Sequence, residues 1–400
     1  MRVLALGSVY PPHLLGGYEV IWQGVTRELL GAGHTARVLV SDFRAPGVSP
    51  EAPEDPDVHR ELRWYWEEHR WPRMSLSRTV ALERHNAATL ARHLSELRPD
   101  VVAFWPMGGM SLSLITAVQR AGLPHIFFVL DPWPVYGPRR DAWLARWRRL
   151  PLAPLAPAAA RLTGLPARLD LGSGRWIFCS SWMATAAGLD PPPADGAVLS
   201  PGVEDRFLGA PAPAQPWRWR LLYIGRVVEQ KGVLTAVEAL AQLPETATLT
   251  IVGNGDLGYR RELEVAAISL GVEGRVEFRP AVGRAEAPDV YAEADVVLFP
   301  VRWGEPWGLV PLEAMAVGRP VVGTAQGGAA DFLRDGVNAL IHTAEDAAGL
   351  AAAVRRLGEE PTLRETLVAA GRHTAEAHSA IDFDRAAAAE ILALARGSRR

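Results

Sequence analysis

One lysine, Lys231, stands against 41 arginines in this 400-residue sequence, and there is one cysteine, Cys179. A single cysteine excludes an internal disulfide and suits a reducing compartment. Its setting, Trp176-Ile177-Phe178-Cys179, reads as a buried strand rather than a nucleophile site. The ten histidines show no ligand spacing, so no bound metal is expected. No Gly-x-Ser-x-Gly element marks a hydrolase. No apolar stretch reaches the ~18 uncharged residues that a spanning helix requires. The apolar run after Met1 is also too short for a secretory leader. A net charge of -3 and a pI near 6.4 give no global attraction to nucleic acid or to an acidic membrane. The expectation is a cytoplasmic protein with no nucleic-acid partner.

What the sequence has is length and alternation. At 400 residues, 48% hydrophobic and 22% charged, two domains of an ordinary folded enzyme are expected. Short Val-, Leu- and Ile-rich runs predict strands near 2–7, 36–41, 101–105, 125–130, 176–179 and 197–200. A second series lies near 220–225, 248–252, 276–278, 296–299, 320–322 and 339–341. Amphipathic helical stretches, such as 18–31, 78–97, 232–242, 258–270 and 345–357, fall between them. This alternation predicts an α/β fold with parallel sheets covered on both faces. The proline-rich stretch Gly209 to Pro216 is the expected linker. Ligands of such folds bind at the carboxyl ends of strands.

Lysine is a compact point charge and arginine a planar fork. A chain that uses arginine almost everywhere yet keeps Lys231 in Gly225-Arg226-Val227-Val228-Glu229-Gln230-Lys231-Gly232 suggests a place for a small cation. Two cations flanked by glycines suit a diphosphate. The second feature is Glu305-Pro306-Trp307-Gly308-Leu309-Val310-Pro311-Leu312-Glu313. Pro311 predicts a helix start, and the N–H groups of Gly308, Leu309 and Val310 before it make a phosphate site by geometry and partial charge. The carboxylates of Glu305 and Glu313 repel phosphate, so neutral hydroxyls are their expected partners.

Taken together, these segments resemble the retaining glycosyltransferases of family 4, in the glycosyl transferases group 1. The resemblance rests on Gly225-Arg226 with Lys231-Gly232, the Glu-x7-Glu element Glu305 to Glu313, Gly318-Arg319-Pro320 and Gly327-Gly328. Tyr10-Pro11-Pro12 with Gly16-Gly17, Gly33-His34, Pro201-Gly202-Val203-Glu204 and Gly253-Asn254-Gly255 extend it over nearly the whole chain. It implies the GT-B fold, two facing Rossmann-like domains with parallel sheets. The implied divisions are 1–204 on the acceptor side, a linker 205–217, 218–379 binding the nucleotide sugar, and 380–400 as a helix crossing back. Arg226 and Lys231 would hold the donor diphosphate, and Glu305 would bind the transferred sugar with backbone help from Trp307 to Val310. Glu313 would bind the ribose. Gly16 and Gly17 would approach the donor phosphate, with Asp131, Gly225 and Gly253 also in the substrate site. No cofactor is implied beyond the nucleotide-diphosphate sugar itself.

The sequence departs from the family at Val129-Leu130-Asp131, where Leu130 holds the place of a common histidine, and at Trp307, commonly phenylalanine. Asp331 likewise replaces a usual glutamate after Gly327-Gly328. Other readings stay open: a catalytically inactive nucleotide-sugar-binding partner, or a GT-B phosphorylase or epimerase. A more remote one is an oxidoreductase, since Gly253-Asn254-Gly255-Asp256-Leu257-Gly258 is G-x-G-x-x-G, although it follows the second strand of its half. The aromatic cluster Trp64-Tyr65-Trp66 with Trp71 would stack on sugars or pin the polar loop 42–77. In 139–150, Trp143, Leu144, Trp147 and Leu150 share one helical face, and arginines lie off it. That pattern fits peripheral membrane contact or a helix packed on its own domain.

Overall fold

The computed structural model describes residues 1–45, 47–49, 52–66, 71–148, 152–189, 192–210 and 216–397. It separates into two compact units, Met1–Leu199 with Asp384–Arg400, and Ser200–Phe383. The first is built on seven parallel strands: β1 (Arg2–Leu6), β2 (Thr35–Ser41), β3 (Val58–Leu62), β4 (Val101–Phe104), β5 (His125–Val129), β6 (Arg175–Phe178) and β7 (Gly196–Val198). Their order is β3-β2-β1-β4-β5-β6-β7. The second unit carries β8 (Arg220–Ile224), β9 (Thr248–Val252), β10 (Val276–Arg279), β11 (Val296–Phe299), β12 (Val321–Gly323) and β13 (Leu340–Ile341). These are also parallel, in the order β10-β9-β8-β11-β12-β13. Both are doubly wound sheets of the Rossmann kind, whose order reverses beside the first strand.

The central strands are predominantly apolar because both faces are covered. Register turns that composition into packing. Phe104 lies opposite Phe127, and Phe127 opposite Trp176, so the three rings stack across β4, β5 and β6 at 5.0 and 4.1 Å. On the other face Trp22, Trp105 and Phe128 stack in turn. Cys179 is buried in this core.

Several expectations need correction. β3 falls within 42–77, expected as loop, because its sequence Val-His-Arg-Glu-Leu has no apolar run. Tyr65 is buried on the carboxylate of Glu83, and Trp64 packs on Phe43 and Trp66, so this cluster pins the segment. The expected linker begins as a helical turn, Asp205–Leu208, with Phe207 fully buried against Tyr291; residues 211–215 lie outside the described residues. The division falls at Leu199 rather than at 204 because Val203 exchanges hydrogen bonds with His378 and Ala380. The last helix, Ala380–Gly397, is divided between the units, and its residues from Asp384 onward belong to the first.

The segment 139–150 is not one helix. It breaks between Trp133–Arg140 and Leu144–Trp147, where the Asp141 carboxylate accepts the N–H groups of Trp143 and Leu144. Trp143 and Leu144 are buried, and Trp147 packs edge-on against Trp143. The apolar face is therefore used inside the unit, while Arg139, Arg140 and Arg148 are exposed. Arg149 and Leu150 lie outside the described residues. Among the described residues no helix is long and apolar enough to cross a membrane.

Candidate functional site

In the second unit the strand order reverses between β8 and β11, and the loops leaving their carboxyl ends carry the candidate residues. From β8 the chain runs through Gly225 and Arg226 into a single turn, Glu229–Lys231, and then the helix Val233–Leu240. Gly232 joins them at φ +69, and a Cβ there would meet the Pro300 carbonyl oxygen at 1.8 Å. Only glycine lets the β8 loop lie so close against the β11 loop. That approach sets Lys231 beside Glu305. The Lys231 ammonium donates to Glu305 Oε2 at 2.5 Å, and Trp303 Nε1 donates to the same oxygen at 3.0 Å. Both partners are largely buried, with side chains 15% and 11% exposed. Arg226 is exposed, and its guanidinium makes no ion pair or hydrogen bond among the described residues. Its carbonyl is fixed by the Tyr223 hydroxyl at 2.6 Å.

Glu305 is also fixed by its backbone, which bridges to Gly327 and accepts the Gly328 N–H at 2.7 Å. After it the chain buries Trp307 against Phe332 and His378, and Gly308 caps the helix Leu309–Ala316. The helix starts two residues before Pro311, which sits third in the first turn rather than at the start. Having no N–H, proline removes one donor that the helix would leave unpaired, and Leu309 and Val310 supply the others. The partial positive charge of this end remains.

Glu313 sits one turn further on, 4% exposed. It does not wait unpaired for a ribose. Oε1 accepts Arg284 Nη1 at 2.6 Å, and Oε2 accepts the Tyr291 hydroxyl at 2.6 Å. An ionised carboxylate has about four lone-pair sites, so a ligand hydroxyl can still share it. Burial, with Glu313 adding to it, holds the Tyr291 hydroxyl protonated well above its usual range. Arg284 also reaches Glu204 at 3.5 Å and stacks over Phe207. Arg284 and Tyr291 escaped the sequence reading, because each gains its place from Glu313 on another element. Trp303 was noticed as a loop residue beside the site, but its partner, Glu305, was not.

The G-x-G-x-x-G segment has a packing explanation. A Cβ on Gly253 would meet the Gly225 carbonyl oxygen at 1.8 Å, and one on Gly255 the Val227 oxygen at 2.0 Å. The Gly253 N–H donates to the Arg279 carbonyl, and Asp256 caps the helix Leu257–Ser269. The absence of a Cβ at both positions lets the β8 loop pack directly on this segment. Gly253 packs directly against Gly225.

Gly16, Gly17 and Asp131 lie in the first unit, after β1 and β5. The Gly16 N–H donates to Glu19 Oε2, and Gly17 precedes the helix Tyr18–Gly31. Asp131 Oδ2 accepts the Tyr136 hydroxyl at 2.5 Å, while Oδ1 is buried without a partner among the described residues. Burial pushes this carboxyl up to about 6, against the opposing effect of the Tyr136 hydrogen bond. Leu130 is buried beside it.

Residues 218–360 match the family described as glycosyl transferases group 1. A D-inositol 3-phosphate glycosyltransferase of Xylanimonas cellulosilytica is 36% identical over 45% of this chain and 43% of its own length. A GDP-mannose-dependent alpha-(1-6)-phosphatidylinositol monomannoside mannosyltransferase of Mycolicibacterium smegmatis is 34% identical over 56% of this chain and 62% of its own length. The chain thus spans less than two thirds of the curated relatives that lead the comparison, and less than half of several. Anabaena HepE, solved in complex with UDP-glucose, superposes with a TM-score of 0.72 at 20% identity, covering 98% of this chain and 99% of that one. The fold is GT-B, and the C-terminal unit of this chain belongs to the glycosyl transferases group 1.

Proposed function

We propose that the protein is a retaining, metal-independent glycosyltransferase that moves a sugar from a nucleotide-diphosphate sugar to a hydroxyl acceptor. The observation that carries this reading is the Lys231–Glu305 pair beside the N-terminus of the helix Leu309–Ala316. A cation, a helix end and the unpaired Arg226 offer positive charge to a diphosphate, and Glu305 offers a strong acceptor to a sugar hydroxyl. Before donor binds, the glutamate neutralises the lysine in a partly dry place. On binding, the ammonium turns to the phosphates and frees Glu305 for the sugar.

Fixed charges aimed at a developing anion are commonly the largest catalytic contribution. Here Arg226, Lys231 and the helix end stabilise the departing nucleoside diphosphate. Retention follows if the acceptor attacks from the face that the leaving group vacates, its proton passing to the departing phosphate. The related proteins named as glycosyltransferases, and the UDP-glucose bound to the Anabaena structure, support the donor class. In this reading the protein works in the cytoplasm. The segment 139–150 is read first as helices packed on their own unit, with Trp143 and Leu144 buried; contact of the exposed Arg139, Arg140 and Arg148 with an anionic membrane surface is the alternative. Charge reversal of these arginines is expected to abolish sedimentation with anionic vesicles, and a wild-type protein that never sediments removes that contact.

The test of the chemistry is release of nucleoside diphosphate from a panel of UDP-, GDP-, ADP- and TDP-sugars. One donor is expected to turn over, and Lys231→Ala and Glu305→Ala each to lower transfer at least about 100-fold. Lys231→Arg is expected not to restore it, because the planar fork is larger than the ammonium it replaces. Binding without release, even with mixed acceptors, favours the inactive partner instead.

A further inference from the structure

Two histidines that no spacing rule connects meet at the edge of the first sheet. His59 and Glu61, two residues apart on β3, project to one side. His93 faces them from the helix Leu76–Leu97, its side chain fully buried. One ligand atom from each lies within 4.8 Å of the other two. His59 Nδ1 is 3.2 Å from Glu61 Oε1, and His93 Nε2 is 3.4 Å from Glu61 Oε2. Tetrahedral zinc, with bonds of about 2.0–2.1 Å, holds its ligand atoms roughly 3.3–3.4 Å apart, so the two imidazole nitrogens and one carboxylate oxygen, already within 4.8 Å of one another, need draw in only slightly to share it. The far nitrogen of His59 lies 2.7 Å from Asp57 Oδ1. A carboxylate in that position orients a metal-bound imidazole and strengthens it as a ligand.

We propose that His59, Glu61 and His93 bind a zinc ion that ties the edge strand β3 to the helix Leu76–Leu97, with solvent in the fourth position. Two imidazoles and a carboxylate form a donor set that suits zinc and disfavours magnesium or calcium, which prefer oxygen alone. Among the described residues β3 pairs only with β2, so a bond to the helix secures a strand that the sheet holds from one side. None of the residues assigned to sugar transfer takes part, so the ion is structural and transfer proceeds without it.

Two arginines compete for the site. Arg92, 47% exposed, donates to Glu61 Oε2 and is free to swing into solvent when metal arrives. Arg37 Nη1 lies 3.3 Å from His93 Nδ1. Metal on Nε2 places a proton on Nδ1, so Arg37 gives up that contact and keeps Asp57 and Glu96. Removing Arg92 therefore favours the metal.

The test is titration of the full-length, metal-stripped chain with zinc chloride, followed by calorimetry and thermal unfolding, with cobalt chloride as a visible probe of coordination number. One zinc per chain is expected, with a higher unfolding temperature and the bands of four-coordinate cobalt. His59→Gln abolishes binding, Asp57→Asn weakens it about 10–100-fold, Arg92→Ala tightens it, and magnesium chloride has no effect. Zinc held equally by wild type and His59→Gln, or by neither, overturns the proposal. Should His59→Gln fold poorly, Arg92→Ala decides: unchanged or weaker binding there overturns it as well. Chelation that abolishes sugar transfer would contradict the structural role while leaving the donor chemistry to its own test.

Discussion

Asp131 shows what a single residue contributes when its expected neighbour is absent. With Leu130 in place of a histidine, the carboxylate has one buried oxygen on Tyr136 and another with no partner among the described residues. Its folded pKa, about 6, lies above the ordinary 3.8, so the folded state binds this proton more tightly than the unfolded chain. The stability it supplies is complete below the ordinary value and is lost as pH rises through about 6, amounting to roughly 3 kcal/mol. Asp131→Asn does not titrate. Its unfolding free energy is therefore expected to gain on wild type between about pH 4 and about pH 7, and parallel pH curves would refute the burial argument. At this scale the sequence exposed the residues whose chemistry is local: one lysine, and two glutamates eight positions apart on a loop and its helix. It concealed Arg284, Tyr291 and the His59–Glu61–His93 cluster, since each forms from segments that meet only on folding.

At the scale of elements, the second unit depends on how closely the β8, β9 and β11 loops approach one another. Gly253 has φ +150, and any side chain there drives into the Gly225 carbonyl. Gly253→Ala is expected to cost at least about 1–3 kcal/mol from backbone strain alone. It also displaces the loop carrying Arg226 and Lys231, so donor affinity falls together with the urea midpoint. A variant with wild-type stability would show that the loop relaxes freely. Strands were legible where both faces are covered, because β4 and β11 are then wholly apolar and β1 and β5 are apolar after their first residue. β3 was not, for the opposite reason: at an edge its middle residues are histidine, arginine and glutamate. The turn Asp205–Leu208 was hidden by the prolines that follow it, and the burial of Phe207 against Tyr291 anchors it in the second unit.

For the whole molecule, the same strand order occurs twice, and in each unit the candidate substrate residues follow strands at or beside the point where that order reverses. Alternation along the sequence was enough to predict two parallel α/β halves, since helices must cover both faces of such sheets. Alternation alone carries no mark of which sheet a helix will cover; the return of the chain to its first unit, at Asp384, was implied only by the family resemblance, which placed a crossing helix over 380–400. The central claim is that Lys231 meets the donor diphosphate, and the composition makes this directly measurable. Carbon-13 labelling at the lysine ε position gives one resonance, because the chain has one lysine. Titrated with UDP-, GDP-, ADP- and TDP-sugars, that resonance should shift to saturation with whichever donor the protein turns over. A donor that is turned over while the Lys231 resonance stays in place would contradict the account.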